Sequence, residues 1–187
     1  MRVALTGGIG AGKSYIMKIF ESLGAKTVYA DRLNSELMED EEYLKGLEEL
    51  FPDCFSGGKP DKRAIRARIF SSEEERKKLN AYAHPKILKK MAEALSGEGV
   101  TVCEIPLLKE SNARDIFDKV ICVTAPDEVR RKRIAERDGV SEEEAMSAIA
   151  AQSDEREYLR TADFIIVNVG DPTAEVGKIY DALCAKE

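Results

Sequence analysis

The sequence predicts an α/β fold, a five-stranded parallel sheet flanked by helices. Three observations predict it: five apolar, β-branched runs, helix-period segments between them, and a glycine-rich turn directly after the first run. The runs are Arg2 to Thr6, Lys26 to Ala30, Val100 to Ile105, Lys119 to Thr124 and Asp163 to Val169.

The first helix follows the glycine turn, with Ile16, Ile19, Phe20 and Leu23 at i, i+3, i+4, i+7 forming one buried stripe and Gly24 stopping it. Strand, helix, strand in this order implies a right-handed crossover. About seventy residues then separate the second and third runs, too many for a simple crossover, and their content is helical and charged; they form an embedded lobe. Within it, Ser72-x-x-Glu75 is a capping box, and Pro85 suits the first position of a further helix ending near Ser96-Gly97. "FSGGKPDK", Phe55 to Lys62, reads as a mobile loop, punctuated by two glycines and a proline. A second capping box, Ser141-x-x-Glu144, opens a helix expected to carry Ala145, Met146, Ile149 and Ala150 on one side.

With 187 residues the chain fits one domain with an embedded lobe and is long enough to bury a core. A net charge of −6 argues against nucleic acid as a partner, so an anionic ligand must meet local basic clusters. Cys54, Cys103, Cys122 and Cys184 lack C-x-x-C spacing and read as reduced core residues, which fits a cytoplasmic protein. Met1 runs at once into a strand, with no export signal, and no apolar run approaches the roughly 20 residues that span a bilayer; a soluble chain away from membranes is expected.

The turn contains a complete G-x-x-x-x-G-K-S, Gly7 to Ser14. Its glycines let backbone N–H groups turn inward around a phosphate, and the following helix presents its positive end to the same anion. Lys13 can then reach the β and γ phosphates, and the Ser14 hydroxyl can ligate Mg2+. Asp31 follows the second strand, on the edge of an open α/β sheet where ligands bind. There a carboxylate can orient an acceptor hydroxyl and take its proton; equally, it can cap the helix from Arg32. Arg130, Arg133 and Arg137 line one helical face, suited either to phosphate or to a solvated helix end that complements the dipole. Lys59 to Arg68 carries five positive charges against one negative, for an anionic acceptor or a solvated face. His84, the only histidine, reads as a cap or packed residue, and nothing pairs with it to build a metal site.

Taken in order, "GGIGAGKS", "VYAD", "LNAYAHPKI", "EIPLL", "RRKRIAERDGVSEEEAMSAIAAQ" and "ADFIIVNVG" resemble the dephospho-CoA kinases over nearly the whole chain. The phosphate loop is common to many families; Leu79 to Ile87, Pro106 to Leu108 and Ala162 to Gly170 are the specific segments. The resemblance implies a P-loop kinase with a nucleoside-monophosphate-kinase-like core (residues 1–31, 99–137 and 162–187), a helical acceptor lobe (about 32–98) and a short lid (about 138–161). It implies phosphorylation of the ribose 3'-hydroxyl of dephospho-CoA by ATP with Mg2+, in a monomer or weak homo-oligomer. Carried over by position, Gly8 and Gly10, Ala11, Gly12, Lys13, Ser14 and Tyr15 would wrap the ATP phosphates, with Ser14 at the metal. Lys13, Asp31 and Arg137 would be catalytic, Asp31 on the acceptor side and Arg137 on the lid side. Leu79, Asn80, His84, Pro106, Leu107 and Leu108 would face the acceptor, and Asn168 and Gly170 the adenine. The chain departs from the family pattern at Tyr29, Pro60-Asp61-Lys62, Glu104 and Lys109.

Two other readings are weighed against this one. A kinase for another small hydroxyl or nucleotide has no reason to contain Leu79 to Ile87. A nucleotide switch would want N-K-x-D, which "VNVG" does not supply.

Overall fold

The first apolar run forms β1 (Arg2–Gly7), the central strand of the sheet, and both its faces are covered: Val3, Ala4 and Leu5 are fully buried. The structure, a computed structural model, describes residues 1–105, 108, 113–152 and 155–185. Helix α1 (Lys13–Ser22) follows and buries Ile16, Met17, Ile19 and Phe20. The expected stripe ends differently: the helix stops before Leu23, which is 37% exposed, and Met17 takes its place in the core. Gly24 adopts φ 99, a conformation that favours glycine, and turns the chain into β2 (Lys26–Tyr29). Ala30, expected in that strand, instead begins α2 (Ala30–Leu37).

The chain next builds a separate helical unit. Its elements after α2 are α3 (Glu41–Leu50), β3 (Phe55–Ser56), β4 (Lys59–Pro60), α4 (Lys62–Ser71) and α5 (Glu73–Ala94). Asp40 caps α3 by accepting the Tyr43 N–H at 2.7 Å, and Asp61 caps α4 by accepting those of Arg63 and Ala64 at 2.9 and 3.1 Å. The expected loop at Phe55 to Lys62 is a two-residue hairpin: Gly57 and Gly58, at φ 58 and 74, satisfy the positive-φ pair such a turn requires. Pro85 does not start a helix. It lies inside α5, which runs to Ala94 rather than to Ser96-Gly97, held in contact with α2, α3 and α4. Ser72 still caps it, accepting the Glu75 N–H at 3.3 Å. The unit's core is Leu37, Tyr43, Leu47, Phe51, Cys54, Ile65 and Ala83.

The return strands are β5 (Thr101–Glu104) and β6 (Lys119–Thr124), followed by α6 (Asp127–Asp138), α7 (Glu142–Ala151), α8 (Glu155–Thr161), β7 (Phe164–Val167) and α9 (Thr173–Cys184). The sheet order is β2-β5-β1-β6-β7, parallel throughout. The first two strands, consecutive in the chain, therefore do not pair; β5 lies between them. Ile16, Met17, Ile19 and Phe20 of α1 join Val176, Ile179 and Leu183 of α9 in one core with Val3, Leu5, Val102, Ile121, Val123 and Ile166. Helix α8 lies against β1 and β6. Ser141 and Glu144 form the expected reciprocal cap of α7, but of its apolar residues Ala145 alone is buried, and Met146 is 39% exposed. Cys54, Cys103 and Cys122 are buried, whereas Cys184 is exposed at the end of α9; none is in a disulfide. Among the described residues no helix is long and apolar enough to cross a membrane.

Met1–Tyr29 with Leu95–Glu187 form one compact unit and Ala30–Ala94 the other. In the first, Asp163 ties β7 to β6: its carboxylate accepts from Lys119 Nζ at 2.7 Å and from the Val120 N–H at 2.9 Å. Burial pushes this carboxyl up, but those hydrogen bonds and the charges of Lys119 and Arg114 outweigh it and hold it below the usual carboxylate range. A carboxyl lowered on folding stabilises the protein above its unfolded value, about pH 3.9, and that stabilisation fades as pH falls through the folded value. Asp163→Asn is expected to lower the urea midpoint at neutral pH and to lessen the further loss on acidification; superimposable pH profiles would contradict this. In the helical unit, Leu47→Ala should cost about 2–5 kcal/mol by urea unfolding, since Leu47 is central to the core and buried.

Candidate active site

The glycine loop leaves the carboxyl end of β1 between the ends of β5 and β6, with Leu5 paired to Glu104 and Gly7 to Val123. Gly12, at φ 88, is the N-cap of α1, so the helix begins at Lys13. The loop's carbonyls are paired by side chains, one after another. Lys13 Nζ donates to the oxygens of Gly7 and Gly8 at 2.9 and 3.1 Å, and Arg130 Nε donates to that of Ile9 at 2.8 Å. Arg133 Nη1 reaches the oxygens of Gly10 and Ala11 at 3.5 and 3.3 Å, and Asn168 Nδ2 those of Ala11 and Gly12 at 2.8 and 3.5 Å. With the carbonyls held this way, the loop and the helix start offer N–H groups to an anion.

These braces explain the glycines. A Cβ on Gly8 would collide with the Arg130 guanidinium, and one on Gly12 with the Asn168 amide. The three arginines, which share one helical face by spacing, therefore divide. Arg130 is 3% exposed and Arg133 half-buried, and both are spent on the loop; neither is a solvated face. Arg133 Nη2 also donates to the Asn168 carbonyl at 3.0 Å, linking the braces to one another. Arg137 is the exposed member, paired through Nε and Nη2 with both Asp138 oxygens at 2.7 Å, just before α6 ends at Gly139.

A cavity of about 570 Å³ opens on the loop, lined by Ile9, Gly10, Gly12, Lys13, Ser14, Glu104, Arg133, Arg137 and Gln152. Burial pushes the Lys13 ammonium below its ordinary value; Glu104 draws it back up, and Arg130 and Arg137 press it down. Ser14 Oγ lies 3.5 Å from the Glu104 carboxylate. Burial, reinforced by Glu104, pushes the neighbouring Cys103 thiol up to about 12, which keeps it protonated and inert. Among the described residues there is no cluster of three or more His, Cys, Asp or Glu side chains that could cage a metal.

Ala11 is fully buried beneath the loop, and Tyr15 is exposed on α1. Asn168 is 2% exposed with its amide committed to the loop, so its side chain faces Ala11 and Gly12; Gly170 is an exposed turn at φ 70. Asp31 is exposed in the first turn of α2, inside the helix rather than its cap; its backbone carbonyl accepts from Ser35 Oγ at 3.0 Å. Leu79, Asn80 and His84 lie along α5, so His84 is not a cap; it is half-buried, as is Leu79, while Asn80 is exposed. Leu108 is buried; Pro106 and Leu107 lie outside the described residues. Sequence reasoning missed Glu104 and Gln152 as site residues, and the bracing work of Arg130 and Arg133. For Glu104 a signal existed, because it ends a strand at the ligand-binding edge of the sheet. For Gln152 the signal was weaker: it is the last residue of the Arg130 to Gln152 segment that carries the family resemblance, with nothing in its spacing to point it at the loop.

The model of the family described as dephospho-CoA kinase matches residues 1–173. The dephospho-CoA kinase of Methylococcus capsulatus is 34% identical over 186 residues, covering 97% of this chain and 93% of that protein. Among solved structures, TT1252 from Thermus thermophilus aligns with a TM-score of 0.82 at 31% identity, covering 100% of this chain and 97% of that one. The dephospho-CoA kinase from Campylobacter jejuni aligns with a TM-score of 0.63 at 29% identity, covering 98% and 97%. A match so complete in sequence, on a sheet that carries its phosphate loop at the central strand, leaves one conclusion: the chain belongs to the dephospho-CoA kinase family.

Proposed function

We propose that the loop cavity binds Mg-ATP and that the chain transfers the γ-phosphoryl group to the ribose 3'-hydroxyl of dephospho-CoA, giving CoA and ADP, the final step of coenzyme A synthesis. The observation that carries this reading is a lysine ammonium held on the loop carbonyls of Gly7 and Gly8, in a cavity shared with Ser14, Glu104 and Arg137. Phosphoryl transfer requires positioning and neutralisation of charge more than covalent chemistry. Gly8 and the stretch from Gly10 to Tyr15 wrap the phosphates, and Lys13 neutralises the β and γ oxygens. Arg137 faces the transferring group: its partner Asp138 is on the surface, where water screens the pair, so exchanging that carboxylate for a phosphoryl oxygen is cheap.

The donor set fits Mg2+. That ion keeps several waters and takes few protein oxygens beside substrate phosphates, and the Ser14 hydroxyl with the Glu104 carboxylate supplies such a pair. When bound, the ion supplies neutralisation of charge at the phosphates. Asp31 orients the 3'-hydroxyl and accepts its proton. Gly170 lies at the adenine side, while Asn168 acts there through the loop it braces.

In the helical unit, Leu79 lines a cavity of about 320 Å³ with Met38, Tyr43, Leu47, Lys62 and Arg66 among its walls. Apolar walls with two cations suit an acceptor that combines an apolar arm with phosphates. Asn80 and His84, on the same helix, contribute to acceptor binding in this unit; Pro106, Leu107 and Leu108 are assigned to the acceptor by the family resemblance alone. Residues 138–161 act as the lid over the phosphates. The enzyme works in the cytoplasm, as a monomer or weak homo-oligomer.

Supplying Mg-ATP with dephospho-CoA, AMP, CMP, UMP or pantetheine separately and following ADP release is the direct test; dephospho-CoA alone should support rapid turnover, and turnover confined to another acceptor refutes the reading. Asp31→Asn should lower kcat by about 10²–10⁴-fold with the Kd for ATP nearly unchanged. A variant of near-normal turnover would make Asp31 merely a helix-terminal charge.

A further inference from the structure

Gln152 lines the phosphate cavity, yet neither the loop's wrapping nor the acceptor chemistry gives it work. Its residue ends α7, where its N–H bonds the Ile149 carbonyl at 3.3 Å and its backbone turns extended at φ −79, ψ 150. From there the side chain reaches the loop: the Ile9 N–H donates to Gln152 Oε1 at 2.5 Å, across 143 positions of sequence. A backbone N–H can be met only by the oxygen of a carboxamide, so this pairing fixes which end of the group is which. Nε2, with its two N–H donors, makes no hydrogen bond to any described residue. The peptide that carries this N–H is also held at its other end, the Gly8 carbonyl accepting from Lys13 Nζ at 3.1 Å, and the next carbonyl, that of Ile9, accepts from the buried Arg130, so the carboxamide rests on a braced anchor.

We infer that Gln152 is a ligand of the terminal phosphoryl group, carried by α7, with Oε1 anchored on the Ile9 amide and Nε2 donating to a γ-phosphoryl oxygen. This rests on the cavity being an ATP site, as proposed above. The chemistry of the neighbours favours a neutral donor here. Lys13, Arg133 and Arg137 already bring three cations to the cavity, with Arg137 among the charges that press on the Lys13 ammonium, and a further cation would add to that repulsion; a carboxamide adds hydrogen bonds without charge.

Two substitutions separate this role from a purely structural tie. Gln152→Glu keeps the shape and an oxygen for the Ile9 N–H, but it replaces the donor with an anionic oxygen facing the phosphate. Gln152→Leu removes both polar ends. Titration calorimetry with Mg2+ would compare ADP with the β,γ-imido analogue of ATP for each variant and for the unaltered chain. Gln152→Glu should weaken the triphosphate analogue at least about tenfold and ADP less than about twofold, and Gln152→Leu should weaken the analogue about fivefold with ADP unchanged. Equal losses for both nucleotides, or no loss in either variant, would overturn the inference; if Gln152→Glu does not fold, the ratio measured for Gln152→Leu decides. No acceptor enters this assay, so its outcome is independent of dephospho-CoA specificity. An unaltered chain that binds neither nucleotide overturns the ATP-site reading along with it.

Discussion

The carbonyl oxygens of Gly7 to Gly12 must be held by the protein if the loop's N–H groups are to face an anion, and each one is met by a side chain. Lys13 takes the first two, Arg130 the third, and Arg133 and Asn168 share the rest. A peptide dipole has two ends, and a cradle for phosphate exists only when the negative ends are satisfied elsewhere. Much of the sheet unit serves that requirement. Helix α6 must lie beside the loop to deliver Arg130 and Arg133, and β7 must reach the edge of β6 to deliver Asn168. The Asp163 clasp on Lys119 and the Val120 amide sets the start of β7 against β6, so a contact at one end of the strand pair fixes the brace at the other.

The same constraint accounts for what the sequence does and does not disclose. The strands are legible because a parallel sheet buried on both faces needs uninterrupted apolar runs, and the loop is legible because close approach needs glycine at fixed spacing. Arginine spacing showed a shared face but not that Arg130 turns inward; that depends on where α6 packs, a tertiary fact. Pro85 illustrates the opposite failure. A local rule makes the residue before proline unfavourable for helix, yet packing against the neighbouring helices carries α5 through it. The apolar residues of α7 misled for a related reason, because helix-period spacing predicts burial only where a partner surface covers the face, and here Ala145 is fully buried while Ile149 is half-buried and Met146 and Ala150 are exposed. Glu104 was visible as a departure from the family pattern. Its proximity to the Ser14 hydroxyl is long-range geometry, created by the pairing of β5 with β1.

The helical unit is specified more locally. Aspartates at Asp40 and Asp61 cap their helices through hydrogen bonds spanning two or three residues, and the Gly57-Gly58 turn sets the hairpin between them. Pro60-Asp61-Lys62 thus supply a hairpin end, a helix cap and the first residue of the helix. Asp61 is occupied by the backbone it caps, which leaves Lys62 and Arg66 as the cations at the cavity of this unit.

Charge completes the connection between fold and ligand. The chain carries a net −6, yet its phosphate cavity gathers Lys13, Arg133 and Arg137 around one carboxylate, Glu104. Burial makes the Lys13 ammonium costly, and the charges of Arg130 and Arg137 add to that cost. The fold bears this cost because the bracing carbonyls partly solvate the charges, and Glu104 offsets another part. A loop whose carbonyls are already paired and whose cations are already gathered is preorganised for negative charge. The loop carbonyls that engage Lys13 and Arg133 thereby serve twice: they turn the N–H groups toward the anion, and they keep its counter-charges in place until it comes.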